Sequence, residues 1–552
     1  MKGLLKYLRW TGGYVRSIIR PLCVNIFLGI ASVCLMLYFI YVSKKLVDIA
    51  TGDSTGSIPV YSLILLSIVV IRLLVNALNT KLGNTTEAKL DFVIRQRIFN
   101  NLMRSKWFGK EKLHSGDTLN RLESDADKVA SVICADFPTT VTTFFQLVSA
   151  FAFMSVLDFR LALILIILTP AFLGLSKLFF RKMRMLTLDI KNTESKVQSH
   201  IQESLQNRSV IRSLEQSDMM GERLSDLQYE EYGQILDRTR FNVFSTTLIG
   251  ATFGFGYAAA LLWGIYGIHT GTVTFGIMTA FLQLVGQIQG PTVKLTKQIP
   301  SFAYATASID RLMEIESFPK ERKGKPVHLD GIAGVRIENL SFRYPDSGRY
   351  VIKNLSFDFR PSSRTAIVGE TGIGKSTLIK IILSLLSPSE GHVLLYTESG
   401  MEIEASPQTR NNLVYVPQGN TLFSGTIREN LLMGNPSAGE SELDAALRIA
   451  VAEFVNDLPD GLDTVCGESG AGLSEGQAQR IAIARGLLRP GSILLLDEFS
   501  SSLDPQTEDR LMSNLTSATI GDTFEKTMIF ITHREKISLY CDNILKMENQ
   551  AI

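Results

Sequence analysis

No Asp, Glu, Lys or Arg interrupts the chain from Phe241 to Val293, and this feature constrains the fold more than any other. Two hydrocarbon crossings of about 20 residues each fit inside it, whereas a helix of a soluble core seldom runs so far uncharged. Four more apolar runs precede it: Pro21–Val42, Pro59–Thr80, Phe137–Leu157 and Leu161–Phe180. In lipid each segment must satisfy its own backbone polar groups, and none of these runs alternates as a barrel strand would, so all are read as helices. The expectation is six membrane spans.

The loops set a direction. Ala50–Ile58 and His269–Thr274 hold no Lys or Arg, while Lys81–Arg121 and Arg181–Arg240 are rich in both. Cytoplasmic loops carry the positive excess, so both termini are expected in the cytoplasm, below a cell (inner or plasma) membrane crossed many times. The charged segments are free of Pro and read as helices continuing out of the bilayer. Before the first span, Lys2, Lys6, Arg9, Arg16 and Arg20 are interleaved with Leu4, Leu5, Leu8, Ile18 and Ile19, the pattern of a basic amphipathic segment on the inner membrane surface. As a helix Pro21–Val42 spans about 33 Å, too long for the apolar region of a signal peptide.

Within the membrane, Arg72, Asn76 and Asn79 share one helix face, as do Gln283, Gln287, Lys294 and Gln298. Two readings stay open: walls of a wet pathway, or hydrogen bonds between helices. Phe144, Phe145, Phe151 and Phe153 suit an apolar or amphipathic cargo, and equally well plain helix packing.

A basic stretch with Pro and Gly, residues 317–334, is the expected linker between this all-α polytopic membrane domain (1–316) and a region where β-branched runs alternate with helical patterns (335–552), as in a mostly parallel α/β domain. The strand Thr365–Val368 runs into Gly369-Glu370-Thr371-Gly372-Ile373-Gly374-Lys375-Ser376-Thr377 and then an apolar helix, the context of a P-loop NTPase. Its glycines let backbone N–H groups wrap phosphates, Lys375 reaches the β and γ oxygens, Ser376 ligates Mg²⁺, and the helix points its positive end at the anion. A second strand, Ser492–Leu496, ends on Asp497 and Glu498, so two carboxylates emerge at the carboxyl edge of the sheet. Asp497 is expected to hold magnesium through water, and Glu498 to orient and deprotonate the attacking water. ATP and Mg²⁺ are the cofactors implied.

Leu473-Ser474-Glu475-Gly476-Gln477, followed by the helix Ala478–Leu488, resembles the signature motif of the ATP-binding cassette (ABC) superfamily. The resemblance implies that Tyr344 stacks on adenine, Gln418 is the lid glutamine at the metal, Ser501–Asp504 is the D-loop, with Asp504 among the nucleotide-binding residues, and His533 is the switch histidine. Trp107–Asp125 and Glu203–Leu214 resemble the coupling segments of six-span exporters of the multidrug and lipid-flippase type. In that family the membrane domain precedes the cassette in one chain, which favours export over import.

The resemblance further implies that Ser474 and Gly476 of one cassette, with Gln477 beside them, serve nucleotide held by Gly369–Ser376 of another. The expected partner is therefore a second half-transporter, and symmetry favours a homodimer over a heterodimer. Glu475 stands where glycine is commoner in the motif. Its charge either repels the γ-phosphate or points away and favours the helix N-terminus, which leaves room for unequal sites in a heterodimer. A pump, an ATP-gated channel and a membrane-tethered ATPase are all compatible with a phosphate loop behind membrane spans; Glu498 and His533 favour turnover over gating, and six spans with polar stripes favour a pathway over a tether. The expectation is an ATP-hydrolysing exporter half-transporter that moves an apolar or amphipathic drug, lipid or peptide out of the cytoplasm or inner leaflet by alternating access. With 56 basic and 54 acidic residues, charge gives no ground for a nucleic-acid partner. Five cysteines without CxxC or CxxH spacing predict neither disulfide nor zinc.

Overall fold

The computed structural model describes residues 2–106, 115–157, 159–321, 324–345, 347–467, 472–517 and 526–548. Contacts divide the chain into two compact units, Met1–Asn100 with Thr118–Ser317, and Asn101–Asp117 with Phe318–Ile552. The expected coupling segment Trp107–Asp125 lies in part, at 107–114, outside the described residues.

The first unit is helical, as its uncharged runs require. In chain order come α1 (Lys2–Val15), α2 (Ile19–Thr51), α3 (Ile58–Met103), α4 (Ser115–Asn120), α5 (Ala126–Ser131), α6 (Phe137–Leu157), α7 (Phe159–Gln206), α8 (Arg208–Ser213), α9 (Ser217–His269) and α10 (Phe275–Glu316), with residues 101–103 of α3 and 115–117 of α4 counted in the second unit. π-helical turns at Arg121–Asp125 and Val132–Asp136 join α4, α5 and α6 into one run. Among the described residues, α2, α3 and the run Asp117–Leu157 are each long and apolar enough to cross a bilayer, and Phe275–Ile288 in α10 is a shorter apolar segment. The expected span Leu161–Phe180 falls inside α7, with its side chains outside the described residues. On α3, Leu63, Leu66, Val70, Leu73 and Leu74 stay exposed, an apolar face of the kind that meets lipid.

Ile40, Ala150, Met154, Phe281 and Leu284 bring α2, α6 and α10 into one core, with Trp263 of α9 tilted against Phe281 at 5.1 Å. Gly29 allows α2 and α6 to touch, since a Cβ there would sit 2.3 Å from Thr142 Cγ2. Both polar stripes find neighbouring helices. Ser32 Oγ donates to Asn76 Oδ1 at 2.8 Å and Asn25 Nδ2 donates to the Asn79 carbonyl at 3.1 Å. Gln146 Nε2 donates to Gln287 Oε1 at 2.7 Å, and Thr140 Oγ1 to Gln298 Oε1 at 2.9 Å. For Asn76, Gln287 and Gln298 the side chains are engaged between helices in this conformation, whereas Asn79 contributes only its backbone carbonyl. Phe151 and Phe153 pack against the core, while Phe144 is exposed.

The basic N-terminal segment forms α1, which is fastened to the last turns of α10. Lys6 Nζ and Tyr7 Oη donate to Asp310 at 2.9 and 2.6 Å. Trp10 Nε1 and Tyr14 Oη donate to Glu316 at 2.6 and 2.7 Å, and Arg97 of α3 reaches the same carboxylate at 3.0 Å.

The second unit holds two main sheets. One is antiparallel, in the order β2 (Ile352–Phe359), β1 (Ala333–Phe342), β4 (Glu390–Thr397), β5 (Glu402–Glu404). The other is parallel, in the order β11 (Asn543–Lys546), β3 (Arg364–Val368), β10 (Thr527–Ile531), β9 (Ile493–Asp497), β6 (Leu413–Val416). Every residue of β9 and β10 is buried, which is why both read as unbroken apolar runs rather than alternating ones. On one face α11 (Lys375–Ile382) packs through Leu378 and Ile382 against Ile337, Phe359, Leu495 and Ile529. On the other, α12 (Ile427–Leu432), α13 (Glu440–Ile449), α14 (Glu475–Leu488) and α15 (Pro505–Ser517) enclose Leu447, Ala482, Leu494, Phe499 and Phe530. A short pair, β7 (Gly425–Thr426) with β8 (Val465–Cys466), and α16 (Glu535–Ser538) complete the described elements. This arrangement turns the carboxyl ends of β3, β9 and β10 toward one edge.

Candidate functional site

β3 ends at Val368, and the loop Gly369–Gly374 turns back into α11. Gly372 and Gly374 adopt φ of 86° and 110°, left-handed values that glycine takes without a Cβ penalty. Lys375 is almost fully buried, and its Nζ donates to the carbonyls of Gly369 at 2.7 Å and Glu370 at 2.9 Å. Burial pushes its ammonium below the usual lysine range, while the nearby carboxylates of Glu498 and Asp497 pull it back up.

Asp497, the last residue of β9, faces this loop. Its Oδ1 accepts from Ser376 Oγ at 3.3 Å and its Oδ2 from Tyr415 Oη at 3.4 Å. Burial raises its carboxyl above the ordinary carboxylate range, the Glu498 charge adds to the rise, and the Ser376 and Tyr415 hydroxyls oppose it. A buried carboxyl beside a hydroxyl, with Lys375 turned onto the loop carbonyls, is a site short of positive charge. Its hard oxygen donors suit Mg²⁺, which takes one or two protein oxygens and completes its shell with water and phosphate. The residues present therefore fit the metal expected from the sequence.

Glu498 follows with a backbone φ of 47°, unusual for a residue with a side chain and characteristic of strained functional turns. Its amide donates to the Ile531 carbonyl at 3.0 Å, which pins the turn to the end of β10. Gln418 Nε2 donates to Glu498 Oε2 at 2.6 Å, and His533 Nε2 lies 2.9 Å from Glu498 Oε1. Three residues separated widely in sequence thus meet on one carboxylate. β6, β9 and β10 lie side by side, and each delivers one of them just beyond its carboxyl end.

Tyr344 stands edge-on to Phe342 with ring centroids 5.0 Å apart, and its hydroxyl lies 3.0 Å from Thr377 Oγ1 at the start of α11. Ser474 caps α14, accepting from Gln477 N at 3.2 Å while Gln477 Oε1 accepts from Ser474 N at 2.9 Å, a reciprocal capping box. Gly476 lies against the D-loop, since a Cβ would come 2.8 Å from the Ser502 carbonyl. Asp504 caps α15 through Gln506 N and Thr507 N, and its carboxyl is held below the usual range first by the Thr507 side chain and then by these backbone donors. Among the described residues no hydrogen bond joins Ser474–Gln477 to Gly369–Thr377. Glu475 is exposed in the first turn of α14.

Two contributors were not foreseen from the sequence. Tyr415 reaches Asp497 only because β6 pairs with β9. Arg534 donates to buried Glu508 at 2.8 Å and to the Leu503 carbonyl at 3.3 Å, bracing the D-loop next to His533. No local motif marks either residue.

Residues 22–292 match the family model described as the ABC transporter transmembrane region, and residues 352–501 match that described as ABC transporter. The chain is 28% identical over 555 residues to a Bacillus subtilis (strain 168) protein named "Putative multidrug export ATP-binding/permease protein YgaD", covering 98% of this chain and 94% of that one. A similarly named Staphylococcus aureus (strain NCTC 8325 / PS 47) protein is 26% identical over 493 residues, covering 88% and 84%. A solved bacterial Atm1-family ABC exporter with ATP bound shares the fold, with a TM-score of 0.79 and 23% identity over 97% of this chain and 94% of that chain.

Proposed function

Because the chain belongs to the ABC transporter family, as an exporter half-transporter whose ATPase domain drives transport across the membrane it spans, we propose that two copies clamp MgATP between their ATPase domains and export an apolar or amphipathic molecule. The single observation that carries this reading is the meeting of Gln418 and His533 on Glu498, beside Asp497 and the phosphate loop. A phosphate loop alone binds nucleotide; a carboxylate oriented on both oxygens is also equipped to spend it.

Lys375, now resting on loop carbonyls, exchanges them for the β- and γ-phosphate oxygens, and Tyr344 stacks on adenine. Ser376, Asp497 and Gln418 would hold Mg²⁺, which when bound neutralises charge on the phosphates. Glu498 takes a proton from water as the water oxygen bonds to the γ-phosphorus. The bond from that phosphorus to the bridging oxygen breaks, and its electron pair leaves with ADP. His533 keeps the Glu498 carboxylate aimed. Ser474, Gly476, Gln477 and Asp504 meet the nucleotide of the other copy, so that ATP favours the closed pair and its cleavage removes that preference. Alternating access follows when closure is passed to the membrane helices. The bare loops Ala50–Ile58 and His269–Thr274 support ATPase domains in the cytoplasm.

The test is vectorial flux. In proteoliposomes, an amphipathic dye should accumulate on the side opposite the ATPase domains only with MgATP. Glu498→Gln should lower turnover by roughly 10²- to 10⁴-fold, as removal of a general base does, while still binding the ATP analogue TNP-ATP. Native turnover in that variant would overturn the assignment of the base.

A further inference from the structure

The C-terminal end of α3 is paired to the linker. Lys106 N donates to the Pro319 carbonyl at 2.7 Å and Glu321 N to the Arg104 carbonyl at 3.0 Å, with Ser105 opposite Lys320 in an antiparallel bridge. Lys320 Nζ donates to Asn101 Oδ1 at 2.6 Å. All of these residues belong to the second unit. From the same short strand Glu321 forms a two-pronged pair with Arg410, at 2.9 and 2.6 Å.

Arg410 has a second attachment. Its Nε donates to the Leu383 carbonyl and a terminal nitrogen to the Ser384 carbonyl, both at 2.7 Å. Leu383 is the C-cap of α11, and Ser384 follows with a left-handed φ of 51°. One guanidinium therefore occupies the negative end of the helix whose positive end opens on the phosphate loop. Farther along, Val327 N donates to the Gln408 carbonyl at 2.9 Å, and Asn412 exchanges two bonds with Val327 and Leu329. The linker is thus laid down on the segment that carries Arg410. Glu321 and Arg410 side chains are each only one-quarter exposed, so the fork between them is partly shielded from solvent, where a charged bidentate pair is strongest.

We propose that Glu321 and Arg410 are positioning residues that tie the end of α3 to the phosphate-loop helix, so that nucleotide bound at one end of α11 is felt at Asn101–Lys106. The proposal rests on the ATP-driven reading above and adds a route within one chain. α11 is about 12 Å long, too short to bend, and each link beyond it is a backbone pair or a charged fork. Neither Glu321 nor Arg410 bonds the phosphate loop, so any effect on ATP passes through α11.

The test uses the full chain in lipid nanodiscs. Glu321→Gln and Arg410→Lys should raise KM for ATP by roughly 2- to 30-fold, the span of coupling energies such networks carry, with kcat nearly kept; Glu321→Asp should recover part of the loss. In the Glu498→Gln background, hydrogen exchange at Asn101–Lys106 should slow on adding ATP, and Glu321→Gln should abolish that slowing while TNP-ATP still saturates. Lower melting temperature with native KM, or an unchanged response at Asn101–Lys106, would sink the tie. A native chain that hydrolyses no ATP would sink the transporter reading and the tie together.

Discussion

At the scale of single residues, Asp497 shows how a site can be built at the expense of the empty fold. Its carboxyl is raised above its unfolded value, chiefly by burial. The sign follows from linkage: such a group stabilises the fold fully below its unfolded pKa, and that contribution is lost as pH rises through the folded pKa. At neutral pH the buried Asp497 carboxyl is therefore a burden on the nucleotide-free protein. Asp497→Asn should melt higher than the native chain at pH 7 without nucleotide, by a margin that shrinks toward pH 4, and MgATP should no longer raise its melting point. A variant melting lower at pH 7 would show that the carboxylate is already compensated. Gly476 makes a different kind of prediction. A methyl there would press on the Ser502 carbonyl at 2.8 Å, and overpacking costs about 1–3 kcal/mol, partly offset by about 1 kcal/mol of helix propensity over glycine. Gly476→Ala should thus lower the melting point modestly, by up to about 2 kcal/mol of stability, while displacing the D-loop and lowering ATPase turnover; equal turnover in a steady-state assay would show that the D-loop yields freely.

At the scale of elements, much was legible because the informative residues are adjacent in sequence. The phosphate loop combines a strand, its glycines and a helix in one short stretch, and the signature residues cap the helix they introduce, so each motif carries its own local geometry. Asp497 and Glu498 were readable for the same reason, coming at the end of an apolar strand. What was hidden depends on strand order. Nothing in the residues of β6 says that it lies beside β9, so Tyr415 reads as an ordinary strand residue until the pairing brings it to Asp497. The polar stripe of α3 was hidden in another way: periodicity gives the face that Asn76 and Asn79 share, but only the structure shows Ser32 of α2 donating to Asn76 and Asn25 donating to the Asn79 carbonyl. The π-helical turn Arg121–Asp125 was equally invisible. It carries Asp125 into full burial, where Ser308 donates at 2.8 Å and Arg311 forms a fork at 2.5 and 2.7 Å. Asp125→Ala should cost about 3 kcal/mol, toward the low end for breaking a buried pair because Arg311 is partly exposed. The loss should appear as a lower melting point with KM for ATP unchanged, separating this packing joint from the positioning fork at Glu321.

At the scale of the whole molecule, the proposed sharing of each nucleotide between two copies makes the sharpest prediction. Lys375 and Ser376 sit at the start of α11, Ser474 and Gly476 at the start of α14, and among the described residues no hydrogen bond connects the two groups. Both helix starts offer unpaired N–H groups to an anion, yet the chain has a single phosphate loop. If each nucleotide is held between copies, two different defects should complement. A chain with Lys375→Ala keeps a sound signature, and a chain with Ser474→Arg keeps a sound phosphate loop. Each alone forms homodimers in which both sites are broken. Mixed dimers contain one site with both defects and one with none, so differently tagged copies, purified through both tags, should occlude about one nucleotide per dimer by the symmetry of the pair. Were the site complete within each chain, every copy in the mixture would still carry its own defect, and occlusion would stay at the level of the homodimers.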